Sequence, residues 1–189
     1  TNLALNLALD AAARGLEVTV VDLDVVNPFF RSSDYRALLD EAGVRTIAPV
    51  FAGTNLDGPS LSGTILPAIE QARAGEGRLL IVDAGGDDLT QEPAEAAEVL
   101  REIEAKSHLA ATAVANNTHL QGDTDEAVVA AGIPFAQEVA RLAGLPLAFT
   151  TVPAETACQD ADRQFPRFGR DGGAGEAYPV RVYVRTPWQ

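Results

Sequence analysis

Two apolar runs that each close on an aspartate constrain this chain most: Glu17-Val-Thr-Val-Val-Asp22 and Arg78-Leu-Leu-Ile-Val-Asp83. Runs of this kind, rich in Val, Leu and Ile at consecutive positions, read as parallel strands covered on both faces. Between and around them the pattern turns helical. Asn2 to Ala13 is rich in Ala and Leu and stops at Arg14-Gly15; Asp34 to Ala42 reads as a short helix with Asp34 as its N-cap. Ile65 to Ala74, Pro93 to Lys106 and Ile133 to Ala143 are further helices, the second with Pro near its first turn. Val44 to Pro49, His108 to Ala115, Leu147 to Val152 and Tyr178 to Val184 read as strands. Phe51 to Gly63, Asn116 to Asp125 and Asp160 to Gly175 read as loops. Helix and strand alternate throughout, so the expected fold class is α/β: a doubly wound, mainly parallel sheet with helices on both faces.

Composition narrows the setting. With 189 residues, 47% hydrophobic and 22% charged, the chain suits one domain spanning 1–189 and is neither disordered nor fibrous. No apolar run reaches the roughly 18 residues of a membrane helix. One cysteine, Cys158, excludes an internal disulfide and a Cys-rich metal frame, and a reducing, cytoplasmic setting is expected. The net charge of −13 opposes nucleic acid and anionic lipid as partners, and the arginines are scattered rather than clustered. The chain contains no Met and opens at Thr1 directly on a helix. A translated protein starts with Met, so further sequence is expected ahead of Thr1.

In open α/β sheets, chemistry collects at the carboxyl ends of the strands. Three polar sets fall there: Asp22-Leu-Asp24, Asp83-Ala-Gly-Gly86 and Asn116-Asn117-Thr118. An acidic residue that ends a buried strand is costly unless it holds something, and in nucleotide sites a hydrated Mg²⁺ is the usual occupant. A single such aspartate is well explained as a turn cap. Two of them, one followed by Gly-Gly, favour a site.

The ordered phrases Thr1-Asn-Leu-Ala-Leu-Asn6-Leu7-Ala8, Arg14-Gly15 and Val20-Val21-Asp22-Leu23-Asp24 resemble the MinD/ParA-like (SIMIBI-class) P-loop ATPases. The stretch Val20 to Arg31 is similar to a branch of that family of unassigned role. In these proteins a phosphate loop, G-x-x-x-x-G-K-[ST], runs into a helix that commonly carries Asn-Leu-Ala, and the next strand ends in Asp-x-Asp. The step from Thr1 to Asp22 fits that register, so the resemblance places Thr1 as the last residue of the loop, its glycines and lysine just upstream.

The resemblance implies Mg²⁺-dependent ATP binding and hydrolysis in a nucleotide-driven switch that dimerises with ATP bound. It makes Thr1 a hydroxyl ligand of Mg²⁺, Asp83 the Walker B aspartate holding Mg²⁺ through water, and Asp22 a carboxylate behind the metal shell. Asp24 becomes the residue that orients the attacking water, and Gly85 and Gly86 the backbone sensor of the γ-phosphate. Asn116 becomes the contact to adenine with Asn117 as its alternate, and Val152-Pro153 closes the base pocket. Phosphoryl transfer needs mainly positioning and charge neutralisation, so this set suffices once a phosphate loop is added.

Two departures bear on activity. The single Lys, Lys106, lies on a helix away from the set. The family also inserts a switch helix and a core strand where only Leu89 to Glu92 follow Asp88, so a segment is expected to be missing there. A non-hydrolysing nucleotide-binding module is therefore one alternative. Another is a Rossmann dinucleotide-dependent oxidoreductase, since an Asp about 20 residues after a glycine turn also suits ribose recognition. DNA partitioning sits badly with the charge, a membrane-binding terminal helix with the strand-like end, and an iron–sulfur bridge with a single cysteine. His108 and Cys158 read as structural. His119 lies near the expected base pocket, Arg31 suits an ordinary surface role or a contact to phosphate or a second subunit, and Gly169 to Gly175 lacks the Gly-Lys ending of a phosphate loop.

Overall fold

A computed structural model describes residues 1–23, 31–48, 65–84, 91–118, 120–155 and 176–184. The expected Asp24, Gly85, Gly86, His119 and Cys158 lie outside these residues, as do the loops predicted at 51–63 and 160–175. The protein is α/β, with two small parallel sheets. The chain divides into two compact units, Thr1–Gly86 with Val182–Gln189, and Asp87–Arg181.

The first unit opens with α1 (Asn2–Ala13), which buries Ala4, Leu5, Asn6, Ala8 and Ala11 and ends at Arg14. It leads into β1 (Glu17–Leu23), followed by α2 (Arg36–Glu41), β2 (Arg45–Ile47), α3 (Ile65–Arg73) and β3 (Arg78–Ala84). The sheet order is β2-β1-β3, every pair parallel. α3 seats Ala68 on Val21 and Ile47, with Leu23, Ile65 and Leu80 packed around them. Val18, Val20 and Asp22 project from the opposite face of β1, as the two-residue period requires, and they too are buried. α1 packs on β1 and β3. β3 departs from the expected buried strand: among the described residues it pairs on one side only, and Val82 is 45% exposed.

The second unit holds α4 (Pro93–Ser107), β4 (Val114–Asn116), α5 (Glu126–Ala143), β5 (Leu147–Pro153) and β6 (Glu176–Val180). Its sheet runs β4-β5-β6, again parallel, with Ala136 and Ala140 of α5 packed on Leu147 and Val114. Phe149 and Tyr178 meet edge to face at 5.3 Å across β5 and β6. Pro179 sits in β6, at an edge of the described sheet, where a missing N–H is tolerated. No described helix is long and apolar enough to cross a membrane.

Several boundaries differ from the sequence reading, each for a local hydrogen-bonding reason. His108 does not start a strand; it adopts left-handed geometry as the C-cap of α4, φ 56°. The N–H groups of Leu109 and Ala111 then go to Ser107 Oγ and Glu104 Oε1, at 3.2 and 2.6 Å, so no ladder forms before Val114. α5 starts at Glu126, seven residues before the expected Ile133, because the Asp125 side chain accepts from Val128 N at 2.8 Å and caps it. The helix then tolerates Pro134 in its interior and stops at Gly144, whose φ of 68° a side chain would disfavour. Asp34 caps nothing with its side chain: a single 3₁₀ turn, Ser32–Tyr35, precedes α2. β6 stops at Val180, since the N–H groups of Tyr183 and Val184 bond to Asn2 Oδ1 at 2.9 and 3.3 Å.

Leu5 is fully buried and Leu66 is 71% exposed. Leu5→Ala is expected to lower the unfolding free energy by about 2–5 kcal/mol. Leu66→Ala should change it by less than about 0.5 kcal/mol. Urea denaturation followed by circular dichroism reads both.

Candidate functional site

The polar residues expected to form one site are distributed over the two units. In the first, Asp22 and Asp83 are direct partners in the β1–β3 register. Registered residues on neighbouring parallel strands point to the same face, roughly 4.8 Å apart along the hydrogen-bonding direction. Both are buried, Asp22 at 1% and Asp83 at 6% exposure. The apolar runs beneath them set this position, because seven consecutive residue pairs from Glu17–Arg78 onward fix the register without a bulge.

Thr1 completes the cluster. Its nitrogen lies 3.1 Å from Asp83 Oδ1, and both side chains are 7% exposed. A nitrogen at this place donates to the carboxylate in either form, as the terminal amino group here or as a peptide N–H within a longer chain. Thr1 is the N-cap residue of α1, yet its side chain makes no capping hydrogen bond; its carbonyl accepts from Leu5 N at 3.0 Å. The positive end of the α1 dipole therefore stands over the carboxyl ends of β1 and β3, where it favours negative charge.

The two aspartates are not equivalent. Asp22 Oδ2 accepts from Ser33 N at 3.0 Å, which ties the start of the 3₁₀ turn to the strand end. Asp83 Oδ2 is buried with no hydrogen-bond partner. A buried carboxylate oxygen left unpaired is costly, and it is the atom at this site best suited to a cation or an ordered water. Ser32 also belongs here and was missed as a site residue: it is fully buried, its Oγ has no partner, and its neighbour Ser33 holds Asp22. In the sequence, Ser-Ser-Asp before a helix carries only a capping signal.

In the second unit, Asn116 ends β4 and is 4% exposed. Its Oδ1 accepts from the Thr118 hydroxyl at 2.8 Å, and its Nδ2 is buried without a partner. Asn117 is exposed, and its Oδ1 accepts from the hydroxyl of buried Thr151 at 3.1 Å. Val152 and Pro153 end β5, next to Asn116 and Asn117 at the carboxyl edge of the same sheet, and are half-buried. Thr118, the third residue of that polar set, fits against Gly132, which the sequence did not single out.

Lys106 is on the exposed face of α4, its Nζ 3.3 Å from Glu102 Oε2, as expected of a solvated helix lysine. Arg141 likewise pairs with Glu138 on α5, and that hydrogen bond holds the Glu138 carboxyl below its ordinary range. Among the described residues no three His, Cys, Asp or Glu side chains stand together as a metal cage. No family model, curated protein or solved structure matches the chain.

Asp22→Ala is expected to cost about 1–3 kcal/mol by leaving the Ser33 N–H unpaired. Asp22→Asn keeps an acceptor and removes the like charge beside Asp83, so it should cost less. Paired urea titrations of the two variants measure the difference.

Proposed function

We propose that this protein is an Mg²⁺-dependent, ATP-binding switch of the MinD/ParA-like P-loop type, with a doubly wound fold. The observation that carries the reading is the meeting of Thr1 with Asp83 at the start of α1, with one oxygen of Asp83 buried and unpartnered. Residues far apart in sequence come together in the arrangement that a phosphate loop and a Walker B strand would require. The unpartnered Asn116 amide supports a separate contact to the base.

The donor set fits Mg²⁺. That ion takes oxygen ligands, keeps several waters and needs only one or two carboxylates, so a protein-only cage is not required. The Thr1 hydroxyl and Asp83 would hold it, with Asp22 behind them, anchored by Ser33 N–H. Bound there, Mg²⁺ would neutralise charge on the β- and γ-phosphates. The N-terminus of α1 would direct its backbone N–H groups to the phosphates. Asp24 would orient the attacking water, and Gly85 and Gly86 would follow the γ-phosphate. The reading requires a Gly-Lys pair immediately ahead of Thr1. ATP binding is proposed to bring two copies together, with no role for nucleic acid or membrane.

A second reading keeps nucleotide binding without hydrolysis. The observation behind it is that Lys106, the single lysine of this sequence, is paired with Glu102 on the outside of α4.

Calorimetric titration of the full-length protein with ATP and Mg²⁺ tests the core proposal; absence of binding heat would sink it. Asp83→Ala should weaken MgATP at least tenfold with less effect on ATP in EDTA. Asp24→Ala should abolish phosphate release while sparing ATP binding. A wild-type protein that binds ATP but releases no phosphate would favour the second reading.

A further inference from the structure

Ser32 is the buried residue of the Ser32–Tyr35 turn, and none of its surface reaches solvent. The turn packs on both α1 and β1, so Ser32 is enclosed between that helix and the strand that carries Asp22. Alanine would fill nearly the same space without burying a hydroxyl, and a buried hydroxyl with no partner is costly. A serine ahead of a helix commonly caps it, but Ser32 Oγ bonds to nothing. Asp83 Oδ2 is buried in the same condition. The two atoms are not bonded to each other, yet the chain brings their residues to one place. Ser33, the next residue, gives its N–H to Asp22 Oδ2 at 3.0 Å, and Asp22 is the registered partner of Asp83. Each orphan can accept a hydrogen bond. Thr46 Oγ1, also unpartnered, is set back from them, in register with Val20 rather than Asp22.

We propose that Ser32 is a positioning residue for the cation at Asp83, its hydroxyl accepting from a water of the ion's shell whose other hydrogen goes to Asp83 Oδ2. This rests on the nucleotide reading above and deepens it by naming the part of the chain that responds to the ion. Mg²⁺ keeps several of its waters when bound to protein. A free buried water makes about three hydrogen bonds. A water in a cation's shell has its oxygen engaged by the ion and needs only two acceptors, which Ser32 Oγ and Asp83 Oδ2 supply. The two buried carboxylates beside them make the place negative, which favours such a water over a free one. With the ion present the turn is held at both Ser32 and Ser33; without it, the Ser33 N–H on Asp22 remains. Since α2 begins directly after Tyr35, that second hold also fixes where the helix starts.

The test is the Mg²⁺ concentration that half-saturates binding of a fluorescent ATP analogue to the full-length protein, alongside the analogue's affinity in EDTA. Ser32→Ala should raise that midpoint about tenfold, as loss of one hydrogen bond to a charged partner does, and leave affinity in EDTA within about twofold. Ser32→Cys keeps the volume and weakens the hydrogen bond, so it should shift the midpoint in the same direction. A packing role, or an ordinary water at Ser32, would change the urea midpoint of Ser32→Ala and leave its Mg²⁺ midpoint unmoved; that result overturns the inference. Equal loss of affinity with and without Mg²⁺ overturns it too. Should both variants fail to fold, amide exchange at Ser33 in the wild type decides. Mg²⁺ added to the nucleotide-bound protein should slow that exchange about tenfold, and an unchanged rate overturns the inference. These failures leave the nucleotide reading intact, because Mg²⁺-dependent binding by the wild type and its loss in Asp83→Ala do not depend on Ser32. A wild type that binds no nucleotide, or binds it without regard to Mg²⁺, removes both.

Discussion

The β1–β3 pairing places Asp22 beside Asp83, and the arrangement of the first unit follows from that. Two carboxylates on adjacent strands, each buried, repel one another in a medium that screens poorly. The fold answers with donors. Ser33 N–H binds Asp22, the Thr1 nitrogen binds Asp83, and the start of α1 adds its dipole. These contacts leave one Asp83 oxygen without a partner. A structure seeking only stability would have an apolar pair there. The retention of both charges, and the incomplete hydrogen bonding of one, are what make the strand ends chemically interesting.

The second unit handles polarity by a different route. There the exposed Asn117 is satisfied through Thr151, while its buried neighbour Asn116 is satisfied on one side only. The asymmetry between two adjacent asparagines depends on a threonine two residues along and on an absent side chain in a helix. Small residues can therefore decide how closely a loop side chain approaches a helix.

Much of the fold was legible because burial imposes a pattern. The strands at Glu17 and Arg78 and the Ala- and Leu-rich first helix were readable from apolar runs bounded by Gly. The aspartates at the strand ends were readable for the same reason, since a charge closing an apolar run is conspicuous. What was not legible depends on where individual N–H groups find acceptors. The late start of β4, the 3₁₀ turn before α2 and the early end of β6 all arise from side chains that capture N–H groups a ladder or helix would have used. The early start of α5 depends on the Asp125 side chain capping Val128 N, at a residue that the sequence pattern leaves in a loop. Gly132 carried no signal, because a close approach between a loop and a helix has no period in the sequence.

Asn2 has a consequence for the order in which the protein can assemble. Its Oδ1 receives N–H groups from residues 181 and 182 positions further along the chain. Closing so long a loop carries an entropic cost that local helix formation does not, and during synthesis the amino-terminal part is present long before its distant partners. The first turn of α1 can form early, but it receives these acceptor contacts only after Tyr183 and Val184 have been made. The helix start that meets Asp83 is thus finished late, which delays full definition of that cluster until nearly the whole described polypeptide has been translated.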